Sequence, residues 1–260
     1  MTFTFVTLFK ELIDGYFSDS ILKKAIEKNI IKIEYKNPRD YTTHKHNKVD
    51  EYMIGGGAGL TLLPQPLTDT IKDIKKTSPN AHIIFVTPSG KPFRQVDAVR
   101  LSHKDHIVLV SGRYEGFDER LIETQADEVF SIGDFILTGG ELPSLCICDS
   151  ISRQVDGVLG NKESLNGESF EDNLLEAPNF TKPNIFEKNE VIKEYLKGNH
   201  ARIHHFKNKL SLSKTKFFRP DLYKKVKINK EKRRETSTSM LLKQNKLKVK
   251  ISLTLEREIL

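Results

Sequence analysis

Three glycine-bearing stretches carry the clearest chemical signal in this sequence: Thr87-Pro88-Ser89-Gly90, Ser111-Gly112-Arg113-Tyr114-Glu115-Gly116, and the segment from Ile132-Gly133-Asp134 to Gly139-Gly140-Glu141. Each follows a short β-rich apolar run and reads as the loop at the carboxyl end of a strand. In a parallel sheet that edge is where ligands bind. Glycine lets backbone N–H and C=O groups approach a flat ring closely, so three such loops in succession suit an adenine or a nucleoside. A fourth run, Gly55-Gly56-Gly57-Ala58-Gly59, fails the dinucleotide fingerprint, which needs glycine at Leu60 or Leu62. It is either a turn or a further part of a site. No G-x-x-x-x-G-K-[ST] motif occurs, so nothing supports an ATP- or GTP-driven machine.

The elements that must position these loops follow from hydrophobic periodicity. Strands are expected at Thr2 to Leu8, Ile30 to Tyr35, His82 to Thr87, His106 to Ser111 and Glu128 to Ile132. Helices are expected at Ser20 to Lys28, Pro66 to Lys76, Gln95 to Leu101 and Glu141 to Val155. Continuous apolar strands separated by helices imply a parallel α/β sheet. Beyond Gly157 the texture changes to a polar segment with Gly160, Asn161, Asn166 and Gly167, then to prolines at 178 and 183, and then to short helices at Asn189 to Leu196 and Asn199 to Leu210. A second, smaller helical domain is the simplest reading. From Lys224 onward the chain is low in apolar residues, the composition of a disordered segment.

The chain has 260 residues, 37% of them hydrophobic, ample for a packed core. Its apolar runs fall far short of the roughly 20 residues that a bilayer span needs, and its N-terminus lacks a basic region ahead of the apolar stretch. Cytoplasmic residence and no membrane association are the expectation. Cys146 and Cys148 form a C-x-C pair with no second cluster, which cannot complete a four-ligand zinc site, and both read as buried thiols. The net charge of +7 is unevenly placed. Residues 1–197 hold 24 Lys and Arg against 30 Asp and Glu, whereas residues 198–260 hold 18 against 5. A basic end on a mildly acidic body either meets a polyanion, nucleic acid before a membrane surface, or is a solvated tail.

GRYEGFDER (Gly112 to Arg120) followed by SIGDFILTGGELP (Ser131 to Pro143) resembles the bacterial tRNA (guanine-N1)-methyltransferases of the SPOUT class. The resemblance continues in KNPRDYT (Lys36 to Thr42), VDEYMIGGGAGL (Val49 to Leu60), DSISRQVDGVLG (Asp149 to Gly160), SFEDNLLEAPNFTKP (Ser169 to Pro183) and GNH (Gly198 to His200), and runs in order to about Tyr223. It implies an α/β fold whose parallel sheet ends in a C-terminal trefoil knot, with a small helical C-terminal domain. It also implies a homodimer with its active site at the subunit interface, and methyl transfer from S-adenosylmethionine to N1 of the guanosine just 3′ of the anticodon, position 37, in the tRNA anticodon loop. The family adds Mg²⁺ as a possible cofactor; the sequence itself shows no metal site. The domains so implied are a knotted cofactor-binding domain (1–157), a hinge (158–170), a tRNA-binding helical domain (171–223) and a basic extension (224–260).

Guanine N1 carries a proton, so its methylation needs a base for that proton and a donor for the charge developing on O6. The resemblance places the base at Glu168, immediately before Ser169-Phe170, where the family's usual residue is aspartate, and the donor at Arg153. Glutamate has nearly the same intrinsic pKa and one more methylene. Pro88, Gly112, Ile132, Gly133, Phe135, Ile136 and Leu137, with Gly139 and Gly140, match cofactor-binding positions, and Glu115 and Asp134 would set carboxylates beside a cationic sulfonium. Asp50, Ser169, His200 and Arg219 match positions near the tRNA. The C-terminal domain departs from the family: His204-His205-Phe206-Lys207 and Phe218-Arg219-Pro220 stand where it has Arg-Arg-Trp-Arg and Arg-Arg-Pro. Two rival readings are a SPOUT methyltransferase with another RNA target, such as a ribose 2′-hydroxyl, and a catalytically silent RNA-binding protein on the same fold.

Overall fold

The computed structural model describes residues 1–165, 167–226 and 228, so most of the expected basic extension lies outside the described residues. The chain divides into two compact units, Met1–Leu165 and a second beginning at Asn166.

In the first unit the order along the chain is β1 (Thr2–Val6), α1 (Glu11–Asp14), α2 (Ser20–Glu27), β2 (Lys32–Lys36), β3 (Asp50–Tyr52), β4 (Leu60–Leu62), α3 (Pro64–Thr77), β5 (His82–Pro92), α4 (Gln95–Leu101), β6 (His106–Ser111), α5 (Glu119–Gln125), β7 (Glu128–Ser131) and α6 (Glu141–Ser152). Five strands pair in the order β2-β1-β6-β5-β7, all parallel. Helices cover both faces. Ile13 of α1, Leu22 and Ala25 of α2, Ala98 and Leu101 of α4 and Ile147 and Ile151 of α6 pack on Phe3, Phe5, Ile84, Ile107, Leu109 and Phe130. Leu67, Ile71 and Ile74 of α3 and Leu121 of α5 cover Val6, Ile83, Phe85, Val108 and Val110. With both faces covered, all six residues of β6 are buried, which is why its sequence does not alternate. Val158 also joins the first of these cores.

The end expected for one strand and the end expected for one helix are revised. β5 does not stop at Thr87 but runs on to Pro92, its register against β7 shifting between Val86 and Lys91. Pro88 lacks an N–H for the ladder, so Pro88-Ser89-Gly90 bulges within the strand before pairing resumes at Lys91 and Phe130. Helix α6 ends at Ser152 rather than Val155, with Arg153 as its cap. On α6 Cys148 is buried but Cys146 is exposed, because residues two apart on a helix point about 200° apart. Burial pushes the Cys148 thiol up, which makes it inert.

Two polar contacts, one buried and one partly exposed, tie the sheet together and make its stability depend on pH. His106 is buried with its Nε2 2.8 Å from Thr4 Oγ1, and burial holds its pKa below 6.5. Burial alone would push Glu128 up, but hydrogen bonds from Arg100 and Lys91 and contact with His82 outweigh it and bring its pKa down to about 2. A lowered folded pKa means stability that is complete above the unfolded value and lost as pH falls through the folded one. Urea melts are therefore expected to show level stability above the ordinary 6.5 of His106, a first decline below it, and a second below the ordinary 4.5 of Glu128. His106→Gln should abolish the first decline and leave the second.

The second unit contains a two-stranded hairpin, β8 (Ile185–Phe186) with β9 (Asn189–Glu190), then α7 (Lys193–Leu196) and α8 (His200–Phe218), followed by a helix over 220–226. The helix expected over Asn189 to Leu196 is thus part hairpin: Glu187 and Lys188 both take positive φ, 49° and 69°, the geometry of a tight hairpin turn, and the helix starts only at Lys193. Helix α8 runs eight residues past the expected Leu210. Its buried face there is polar, which hides it from a search for apolar periodicity: Ser211 Oγ donates to the Leu175 carbonyl at 2.5 Å, and Thr215 Oγ1 accepts from the Leu175 N–H at 2.8 Å. Of the segment expected to be disordered from Lys224, residues 224–226 belong to the last helix and Val226 is buried, while nearly all the rest lies outside the described residues.

Candidate active site

The carboxyl ends of β5, β6 and β7 form one cleft. Pro88 comes from the β5 bulge, Gly112 and Glu115 from the loop after β6, and Ile132, Gly133, Phe135, Ile136, Leu137, Gly139 and Gly140 from the segment after β7. Thr87, Tyr114, Phe117 and Pro143 complete much of its wall, while Asp134 is exposed and stands outside it. The floor is set by the contact between two loops. The Gly140 N–H donates to the Gly112 carbonyl at 2.8 Å, and a Cβ on Gly140 would sit 2.6 Å from the Gly112 nitrogen and 2.9 Å from Ser111 Cα. Ser111 Oγ and Ser144 Oγ, 2.9 Å apart, continue this seam into α6.

Arg113 and Glu141, to which the sequence reading gave no role, clamp the same loops. Glu141 is 3% exposed, accepts from Thr7 Oγ1 at 2.9 Å, and lies 2.9 Å from Arg113 Nε in a charge contact rather than an aligned hydrogen bond. Arg113 Nη1 donates to the Thr138 carbonyl at 3.2 Å, and its guanidinium lies over the Phe9 ring. A buried carboxylate of this kind persists only when paired. The signal was an arginine directly after Gly112 and a glutamate directly after Gly140, on either side of the glycine contact.

The Gly55–Gly59 run proves to be the loop of the β3–β4 hairpin, with Gly55, Gly56 and Gly57 all at positive φ. The hairpin is sewn to the cleft: the Glu115 N–H donates to the Leu60 carbonyl and the Leu62 N–H to the Gly116 carbonyl, each at 3.0 Å, and the Glu115 side chain occupies the space beside Gly59. Asp50 lies on β3, paired with Leu62 in the same hairpin.

The family model described as tRNA (Guanine-1)-methyltransferase TrmD matches residues 1–225. The chain belongs to this family. A relative from Sulfurovum sp. named tRNA (guanine-N(1)-)-methyltransferase is 64% identical over 225 residues, covering 86% of this chain and 99% of its own. One of the same name from Campylobacter curvus is 62% identical over 227 residues, 87% of this chain and 96% of its own. A third, from Campylobacter fetus, is 55% identical over 236 residues, 90% and 100% respectively. Among the described residues no helix is long and apolar enough to cross a membrane.

In this member of the tRNA (guanine-N1)-methyltransferase family, Arg153 caps α6, its N–H donating to the Asp149 carbonyl at 3.0 Å. Asp149 in turn accepts from the Tyr16 hydroxyl at 2.6 Å, and that bond, helped by burial, pushes the Tyr16 pKa up to about 12. The last turn of α6 is thereby fastened to the first helical segment. Glu168, in the second unit, is partly buried, and its carbonyl accepts from the Glu171 N–H at 3.3 Å. Ser169 Oγ accepts from the Glu176 N–H at 3.1 Å, and Phe170 follows at a φ of 80°. His200 opens α8 in an exposed position, and Arg219 holds Asp221 through two bonds of 2.9 and 2.8 Å, lowering that carboxyl to about 2.

Gly133 offers a clean test of the cleft. The nearest atoms to a Cβ there all belong to the side chain of Phe135, a half-exposed ring that can swing aside, and its φ is not positive. Gly133→Val is expected to fold with a nearly unchanged melting point yet bind a nucleoside cofactor at least about tenfold more weakly, since the displaced ring and the new methyls occupy cleft space. Titration calorimetry with S-adenosylmethionine reads this; unchanged affinity would remove Gly133 from the site.

Proposed function

We propose that the chain transfers a methyl group from S-adenosylmethionine to N1 of the guanosine 3′ of the anticodon, position 37, in tRNA, acting in the cytoplasm. The observation that carries the reading is the cleft at the ends of β5, β6 and β7, walled by glycine backbone and by Ile136, Leu137 and Pro88, within a chain of this family. Such a wall suits the flat adenine of the cofactor, and the exposed Glu115 carboxylate suits its sulfonium charge. When bound, the cofactor supplies an electrophilic methyl group. Glu168 would take the N1 proton and Arg153 would donate to O6, stabilising the charge left on the ring, as the methyl passes to N1 and its former sulfur leaves as the neutral thioether of S-adenosylhomocysteine. Asp50, Ser169, His200 and Arg219 hold the RNA.

The trefoil knot and the homodimer with its active site at the subunit interface belong to the same proposal. The knot draws support from the segment after β7, which returns to press Gly140 onto the Ser111-Gly112 backbone before entering α6. For magnesium, no cluster of His, Cys, Asp and Glu fit to hold a metal ion is present among the described residues, and no step is assigned to it. A transfer assay tests the reading: unmodified tRNA with guanosine 3′ of the anticodon should accept label from methyl-labelled S-adenosylmethionine. The same tRNA with adenosine at that one position should accept almost none, and equal labelling of both would refute the assigned target.

A further inference from the structure

We propose that Phe217 and Phe218, at the end of a cationic ridge along α8, form a stacking platform for unpaired bases of the RNA substrate. This rests on the reading that the substrate is tRNA. Helix α8 carries Arg202, Lys207, Lys209, Lys214 and Lys216 and no acidic residue. Arg202, His205, Lys209, Ser213 and Lys216 are all exposed and are spaced by three or four residues, so they share one face. The opposite side docks through Ser211 and Thr215 onto Leu175. Phe217 stands in solvent just past Lys216, and Phe218, at the last turn of the docking side, meets it there.

Their exposure sets them apart from core residues. Phe217 is 79% and Phe218 63% exposed, with the rings edge to face and their centroids 4.8 Å apart. The helix thus buries a serine and a threonine while leaving two of its three phenylalanines in water, the third, Phe206, packing on Tyr195, an arrangement that folding alone does not reward. Phe170, itself half exposed, lies with its ring centroid 5.8 Å from the Arg219 guanidinium, the residue that caps α8, which adds a third ring to this end. Basic residues tracking a phosphate backbone beside aromatic faces that accept any base are what binding to a single strand requires. The acid-free ridge selects a polyanion over an apolar partner, and the rings select unpaired bases over a duplex, whose base faces are already stacked.

The chain contains no tryptophan, so Phe217→Trp places a single indole on the platform. Its emission should be quenched as unmodified tRNA is added, saturating together with binding. Phe217→Ala and Phe218→Ala should each weaken tRNA binding about tenfold while leaving the slope of log affinity against log salt unchanged. Lys209→Gln and Lys216→Gln should instead flatten that slope, by roughly 0.7 for each single-strand phosphate no longer neutralised. Indole emission that does not respond at saturating tRNA would overturn the platform, as would alanine variants that bind like the parent. Alanine variants whose sedimentation changes at unchanged RNA affinity would show that the rings serve a second copy of the chain. A parent protein that neither binds nor methylates tRNA would remove the reading beneath the platform, a failure distinct from a parent that does both while the rings prove silent.

Discussion

Arg153→Ala is expected to lower the turnover of methyl transfer by roughly 100-fold or more, the usual scale for losing a donor aimed at a developing oxyanion. The cost should fall on kcat rather than on cofactor affinity, because Arg153 caps α6 and lies outside the wall of the cleft. Alanine keeps the backbone N–H of residue 153 that donates to the Asp149 carbonyl, and a melting curve of the variant separates a loss of chemistry from a loss of fold. Glu168→Gln should lose turnover on a similar scale, since an amide cannot take the N1 proton, while Glu168→Asp should keep activity or gain it. Single-turnover rates, with S-adenosylmethionine affinity measured alongside, separate these outcomes. A Glu168→Gln enzyme working at the parental rate with chemistry limiting would mean that another group takes the proton.

The second large effect is structural. Gly140→Ala should destabilise the first unit by about 3 kcal/mol, the upper end for overpacking, or roughly 10 °C in melting temperature, and should abolish cofactor binding. The reason is the contrast with Gly133. At Gly133 a new Cβ meets a side chain that can move, whereas at Gly140 it meets the backbone of Gly112 and Ser111 at 2.6 to 3.0 Å, and backbone cannot rotate away. Relief requires the loop after β7 to lift off the loop after β6. That movement would break the 2.8 Å Gly140–Gly112 hydrogen bond and pull Glu141 from Thr7 and Arg113. Scanning calorimetry and cofactor titration on the same variant check both parts, and a Gly140→Ala protein with parental melting and binding would show the contact to be dispensable.

The sheet was legible because burial on both faces writes itself as unbroken apolar runs. β6 and α4 occur at the expected residues, and β1 and β7 differ only at their ends. The cleft was legible for a related reason: where backbone lines a ligand site, glycine marks it, and the three glycine-bearing stretches converge there. Side-chain clamps leave no such mark. Arg113 and Glu141 looked like ordinary charged residues, and only the fold brings one loop's arginine to the other's buried carboxylate. The β3–β4 hairpin was missed because its strands are three residues long and its exposed tip shows no alternation. Helix α5 was hidden because it starts within the last two residues of the GRYEGFDER motif, where Asp118 accepts from the Arg120 N–H and caps it. In the second unit, the turn at Glu187-Lys188 overrode a helical spacing, and docking through hydroxyls concealed the far half of α8.

The most direct measurement is to let the enzyme act on unmodified tRNA with methyl-labelled S-adenosylmethionine, digest the product to nucleosides and identify the labelled species and its position by mass spectrometry. All label should appear as N1-methylguanosine from the residue immediately 3′ of the anticodon. Label on a ribose 2′-oxygen, on a base at another position, or on no nucleoside despite tRNA binding would contradict the assignment of Glu168 and Arg153 to base N1 chemistry.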